Sequence, residues 1–408
     1  MNDGNGESSR NLSAGASAAS LASVLDLDPV ACRARLDQRY AVLDQVLALQ
    51  APAVVYPAAR MGRAAASRLA GRGVRIVAFG DGSPVLWGTR IDGIPVLSPE
   101  EIGRQHRRTP VLLASTMFDS VIREDLERRG CETVVPVGYL NLRLADVFVS
   151  REYAGGFTAV TDPANRPAIE EVFAHLADEG SRRMFASKLA FYVDLEKSRL
   201  DAIRSEAPIY FDRSVWELGS EESMVDGGAY VGDTLAAFRR ATSDRFRAYF
   251  AFEPDQDNFA KLAALAAADR ARIEPIAAGL ARHTGRLRFS STSGVDVRLL
   301  GEDEPGGEAL PVVGLDEFFA DRQPPTLIKM DIEGSEEDAL LGAAGLADRA
   351  APKMAISVYH YPTDLWSIPV LLKRLNPDYR LYLRHYTREV DGTVCYALAR
   401  EGSGGKSA

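Results

Sequence analysis

The sequence predicts an α/β protein made of two Rossmann-like units, the second ending in an antiparallel hairpin. Three observations carry this. Short apolar runs alternate with helical patterns over 51–148 and again over 215–400, the mark of a parallel sheet covered by helices. The stretch between them has helical periodicity and no strand pattern. Near the end, two apolar runs flank Asp391-Gly392, a hairpin signal.

Taken in order, residues 1–20 are Ser, Gly, Asn and Ala with one Arg, and read as a disordered tail; 401–408 read the same way. Over 21–50 the spacing of Val30, Leu36, Tyr40, Leu43, Val46 and Leu47 predicts an N-terminal helix. Asp28 suits its cap and Pro29 its first position. The first unit, 51–148, has strands at Ala53–Tyr56, Val74–Phe79, Ile94–Leu97, Val111–Ala114 and Thr133–Val137. Ser98 and Glu101 form a capping box for a helix between two of them. Residues 149–214 read as a helical connector or cap, from the patterns at Ala168–Leu176 and Arg182–Leu195. The second unit, 215–400, has strands at Ser223–Val225, Ala248–Phe252, Arg272–Pro275, Arg286–Phe289, Thr326–Met330 and Met354–Val358. The hairpin follows at Tyr379–Arg384 and Val394–Ala399.

Composition narrows the function. The 408 residues hold 57 acidic and 48 basic side chains, a net charge of −9, which argues against a broad nucleic-acid surface. Cys32, Cys131 and Cys395 have no paired spacing, so neither a zinc motif nor a disulfide framework is expected, and a cytoplasmic protein is. No apolar run is long enough for a membrane span.

Four segments carry chemistry. Val225-Asp-Gly-Gly-Ala-Tyr-Val-Gly-Asp-Thr234 joins a strand to a helix through glycines, leaving helix N–H groups open to a carboxylate or phosphate. It lacks the Gly-Lys-Ser/Thr of a phosphate loop, and Asp226 at the strand end suits an ammonium group. Glu253, in Phe252-Glu-Pro-Asp255, ends the next strand, where a carboxylate accepts both ribose hydroxyls of a nucleoside. Lys329-Met-Asp331-Ile-Glu333-Gly-Ser-Glu336 places acids at a third strand end. Glu333 and Glu336 are spaced to share a helix face. His360 lies just past an apolar strand, in Tyr359-His-Tyr-Pro362, and suits a general base near neutral pH.

Together these segments resemble the FkbM family of S-adenosylmethionine-dependent methyltransferases over about 215–400. Leu315-Asp-Glu-Phe318 and Leu383-Arg-His-Tyr386 add to the resemblance. It implies a class I methyltransferase sheet and methyl transfer to oxygen, on a hydroxyl of a sugar or secondary metabolite. By position, Asp226, Gly228 and Gly232 hold the methionine part of the cofactor, with Gly227 and Asp233 in the same loop. Glu253 holds the ribose, and Ala277 and Ala278 line the adenine. The first unit resembles Rossmann-like modules that precede such domains. Its Pro57-Ala-Ala59-Arg-Met-Gly62 has lost two of the three dinucleotide-loop glycines, so a module for packing, dimerisation or acceptor recognition is expected, not NAD binding.

An alcohol is a weak nucleophile at neutral pH, so methyl transfer to it needs a base or a metal. His360 is the expected base, with Asp331 orienting it or the acceptor. The rival is Mg²⁺ on Asp331, Glu333 and Glu336. The partner is a small-molecule acceptor, with no nucleic acid and no membrane, and a homo-oligomer is compatible with the sequence. Two other classes compete. A nicotinamide-dependent sugar oxidoreductase or epimerase would use the first unit. A non-catalytic binding protein would keep only the scaffold.

Overall fold

The computed structural model describes residues 20–289 and 307–399; the expected tails at 1–20 and 401–408 lie outside them, Ser20 apart. The first unit contains β1 (Ala53–Tyr56), β2 (Ile76–Gly80), β3 (Arg90–Ile91), β4 (Ile94–Leu97), β5 (Val111–Leu113) and β6 (Val134–Val135). They form one sheet in the order β3-β4-β2-β1-β5-β6. All pairings are parallel except β3 with β4. The chain runs outward from β1 in both directions, so the sheet reverses between β1 and β5. β1 is buried along its whole length, as a central parallel strand requires.

The second unit contains β7 (Ser223–Gly227), β8 (Ala248–Phe252), β9 (Ile273–Ile276), β10 (Gly279–Leu280), β11 (Gly285–Phe289), β12 (Glu308–Val313), β13 (Leu327–Met330), β14 (Lys353–Ser357), β15 (Arg380–His385) and β16 (Thr393–Leu398). Seven of them form a sheet in the order β15-β16-β14-β13-β7-β8-β9. β16 is antiparallel to both β14 and β15, so the expected terminal hairpin is present. Its connection takes all of 386–392 rather than a tight Asp391-Gly392 turn. The order reverses between β7 and β13, which sets their carboxyl ends side by side.

Two expected elements differ. The segment 21–50 is not one helix but three, Leu21–Leu25, Pro29–Arg39 and Val42–Leu47. Pro29 disfavours helical backbone at Asp28, and the Asp28 carboxylate instead accepts the Val30 N–H at 2.9 Å. The strand near Arg286–Phe289 leaves the large sheet. It pairs with β12, which also takes β10, in a separate three-stranded sheet.

The connector holds the halves together. Its helix Glu179–Asp194 is buried at almost every position from Ser181 to Val193, so it is a core element rather than an amphipathic cover. A continuous cluster of buried apolar side chains runs from Val24 and Val55 through Phe185 and Leu189 to Ile356 and Leu383. Each such side chain contributes about 1.5–3 kcal/mol. The three cysteines are free and buried. Among the described residues no helix is long and apolar enough to cross a membrane.

Candidate functional site

β7 and β13 are parallel neighbours, and their register puts Lys329 opposite Asp226 and Met330 opposite Gly227. Both side chains are buried, Asp226 fully. The Lys329 Nζ stands 2.9 Å from Asp226 Oδ1. It also donates to the carbonyls of Gly227 and Gly228, at 3.0 and 2.9 Å. The Tyr249 hydroxyl donates to the other Asp226 oxygen. Burial would lower the Lys329 pKa, but Asp226 and Asp331 overcome this and raise it. Asp226 therefore does meet an ammonium group, but that of Lys329 inside the sheet, where the pair braces the glycine loop from beneath.

The loop above folds onto the end of β8. The N–H groups of Gly228 and Ala229 both donate to the Phe252 carbonyl at 3.0 Å. Gly228 has φ +73°, and a Cβ there would overlap the Asp331 carbonyl oxygen, so only glycine lets the two strand ends close. Gly232, at φ +91°, caps the helix Asp233–Ala241, whose first residue Asp233 is exposed.

Glu253 meets this loop directly. Its carboxylate accepts the Tyr230 N–H at 2.8 Å and the Asp255 N–H at 2.9 Å. Each oxygen thus takes one backbone donor and keeps a lone pair. Burial pushes its pKa up to about 7 against the pull of those two N–H groups. Glu253 itself donates its backbone N–H to Ile276, at the end of β9. Ala277, just beyond, is exposed, while Ala278 is buried. Of the two expected adenine neighbours, Ala277 alone is open.

The acids after β13 separate. Asp331 accepts from the Tyr210 hydroxyl at 2.7 Å and the Tyr359 hydroxyl at 2.9 Å. Burial would raise its pKa; the His360 and Lys329 charges and the two hydroxyls hold it below the usual carboxylate value. Glu333 lies in the loop before the helix Glu336–Leu341, at φ +60°, so it does not share a helix face with Glu336. It pairs instead with Arg151, 2.7 Å away. Burial raises its pKa, against His360 and Arg151.

His360 is buried between these acids. Its Nδ1 stands 3.0 Å from Glu336 Oε1, and its Nε2 stands 3.4 Å from Asp331 and 4.0 Å from Glu333. Glu336, also buried, accepts the Ile332 N–H at 2.8 Å. Glu336 is thus the nearer carboxylate to the ring, with the expected Asp331 on its other side. Burial alone would lower the imidazole pKa, but Glu336, Asp331 and Glu333 outweigh it and lift it to about 10. At neutral pH the ring is therefore an imidazolium, not a ready base.

The expected Mg²⁺ trio is not assembled. Among the described residues the converging ligand atoms belong to Asp331, Glu336 and His360, with Glu333 drawn off by Arg151. An imidazole in place of a carboxylate is a poor match to the all-oxygen preference of Mg²⁺.

Sequence reasoning gave no role to Lys329, Tyr210, Tyr249 or Arg151. A lysine inside the apolar run Leu327–Met330 was the available signal for the first. The others arrive from distant segments.

Residues 226–390 match the model of the methyltransferase FkbM domain. The second unit belongs to the FkbM methyltransferase family. The crystal structure of methyltransferase FkbM from Methylobacillus flagellatus KT superposes with a TM-score of 0.68 at 24% identity. The match covers 91% of this chain and 100% of that one, so the two chains share their fold across both units. Aeropyrum pernix fibrillarin, in complex with natively bound S-adenosyl-L-methionine, matches 45% of this chain and 69% of its own. Its TM-score is 0.29 at 14% identity. UDP-D-quinovosamine 4-dehydrogenase from Vibrio fischeri covers 23% of this chain and 86% of its own, with a TM-score of 0.19 at 26% identity. Neither of these two overlaps is close enough to carry an argument. No curated protein sequence matches the chain.

Proposed function

We propose that this FkbM-type chain is an S-adenosylmethionine-dependent O-methyltransferase acting on a hydroxyl of a sugar or other metabolite. The observation that carries the reading is the junction of Glu253 with the glycine loop through the Tyr230 N–H. It places an acid with spare lone pairs beside an open helix start, at the carboxyl ends of β7 and β8, where ligands of such sheets bind. Glu253 suits the ribose diol, Ala277 the adenine edge, and the backbone of Gly228–Gly232 the amino-acid part. When bound, the cofactor supplies a methyl group on a sulfonium, already activated for displacement.

The chain must then position the acceptor and take its proton. His360 and Asp331 are the proposed catalytic pair, with Glu336 positioning the ring. His360 must first release its own proton, so transfer should quicken as pH approaches about 10. No step requires a metal. The division into a 51–148 module, a 149–214 connector and a 215–400 methyltransferase domain is part of the same proposal.

The test is titration with S-adenosylhomocysteine, followed by transfer of labelled methyl from S-adenosylmethionine to hydroxylated acceptors. Binding with label recovered as an alkali-stable ether supports the reading; failure to bind removes it.

A further inference from the structure

A cleft of about 1410 Å³ opens not on the methyltransferase sheet but on the first unit. It lies at the carboxyl ends of β1 and β5, between Tyr56-Pro57 and Ala114-Ser115, where that sheet reverses its order. This is where an open α/β sheet takes its ligand.

The loop after β1 does not suit a dinucleotide, since Pro57 and Ala59 stand where pyrophosphate needs bare glycine backbone. Asp81, at the end of β2, accepts the Ala58 N–H at 3.0 Å and the Ser83 N–H at 2.8 Å. Much of the wall is apolar. Trp87, Met117, Phe118, Val121, Val149 and Tyr361 each stand at least a third exposed, and all six line this one cleft. Soluble proteins rarely gather exposed apolar side chains in this way without a ligand or partner for them. The polar part of the lining carries both signs, Arg60, Arg128 and Arg129 standing with Asp81, Glu100 and Asp125.

One end of the cleft reaches the second unit. Arg151 and Tyr361 line the cleft. Arg151 pairs with Glu333, and Tyr361 follows His360 in the chain. A Cβ on Gly334 would press into the Tyr361 ring at 2.6 Å, so the cleft floor and the turn after Asp331 are in contact.

We infer that the first unit is the acceptor-binding module: its cleft takes an amphipathic hydroxylated ligand and presents a hydroxyl past Tyr361 to the Asp331–His360 pair. The apolar body of the ligand lies along Trp87 and Phe118. This rests on the methyltransferase reading for the word acceptor, and on the cleft alone for the ligand.

Anilinonaphthalene sulfonate, an aromatic anion, serves as the probe on the full chain. Val121→Trp and Val149→Trp fill the cleft from exposed positions that lie outside the second unit. Saturable dye binding is expected, weakened about tenfold or more in both variants, with unchanged S-adenosylhomocysteine affinity. Energy transfer from Trp87 to the dye should disappear in Trp87→Phe. Compounds that displace the dye should be the ones methylated, with KM raised in Val121→Trp. Dye binding indifferent to both fillings, or a methylated compound with the same KM in Val121→Trp, overturns the inference. Loss of S-adenosylhomocysteine binding in the wild type would instead strike the methyltransferase reading and leave the dye result standing.

Discussion

The Lys329 ammonium sits 2.9 Å from the Asp226 carboxylate, and both are buried beneath the glycine loop. The pair is a by-product of register: adjacent parallel strands set the two residues opposite each other. Removing one partner strands a buried charge, which costs about 3–5 kcal/mol. Lys329→Met should lose that much in urea denaturation. The double variant Asp226→Leu/Lys329→Met should recover much of it, because no lone charge remains.

In its proposed role at the ribose, Glu253 should give a pH signature to cofactor binding. Its pKa is raised to about 7 by burial, and only the ionised form accepts both ribose hydroxyls. Affinity for S-adenosylhomocysteine should therefore strengthen as pH rises through about 7. Glu253→Gln should weaken binding by about 1.5–3 kcal/mol and flatten its pH dependence. Titration calorimetry between about pH 6 and pH 8 reads both effects.

His360 acts in the opposite direction on stability. Its folded pKa, about 10, lies above the ordinary value of 6.5. The stabilisation is therefore complete below pH 6.5 and is lost as pH rises through about 10. Its size is on the order of a few kcal/mol. Chemical denaturation should show His360→Gln well below wild type at neutral pH, with the gap narrowing above about pH 10. The rate of methyl transfer should climb over the same range in the wild type and be low and flat in the variant. A rate already on its plateau at neutral pH would remove His360 as the base.

Gly228 tests the closure of the two strand ends. Alanine there meets the Asp331 carbonyl oxygen at a positive φ. The backbone conformation alone costs about 1–2 kcal/mol, and the overlap adds to it. Thermal denaturation should show a lower Tm for Gly228→Ala, and S-adenosylhomocysteine binding should fall with it.

Where local chemistry decides an element, the sequence shows it. β1 occupies the expected Ala53–Tyr56, and Ser98 and Glu101 form the expected capping box. The glycine loop and Glu253 lie at neighbouring strand ends, joined by the Tyr230 N–H. What the sequence hides depends on register and on long-range arrival. Nothing local shows that Lys329 consumes Asp226, or that Arg151 draws Glu333 away. Tyr210 reaches Asp331 from a segment with no periodic pattern. His360 was visible as a histidine past a strand. Its charge state was not, because that depends on three acids gathered by folding.

The most direct measurement is calorimetric titration of the wild type and Glu253→Ala with S-adenosylhomocysteine. A micromolar-range affinity in the wild type, lost in Glu253→Ala while the variant keeps its fold, is the predicted result. No binding by the folded wild type would contradict the account at its centre.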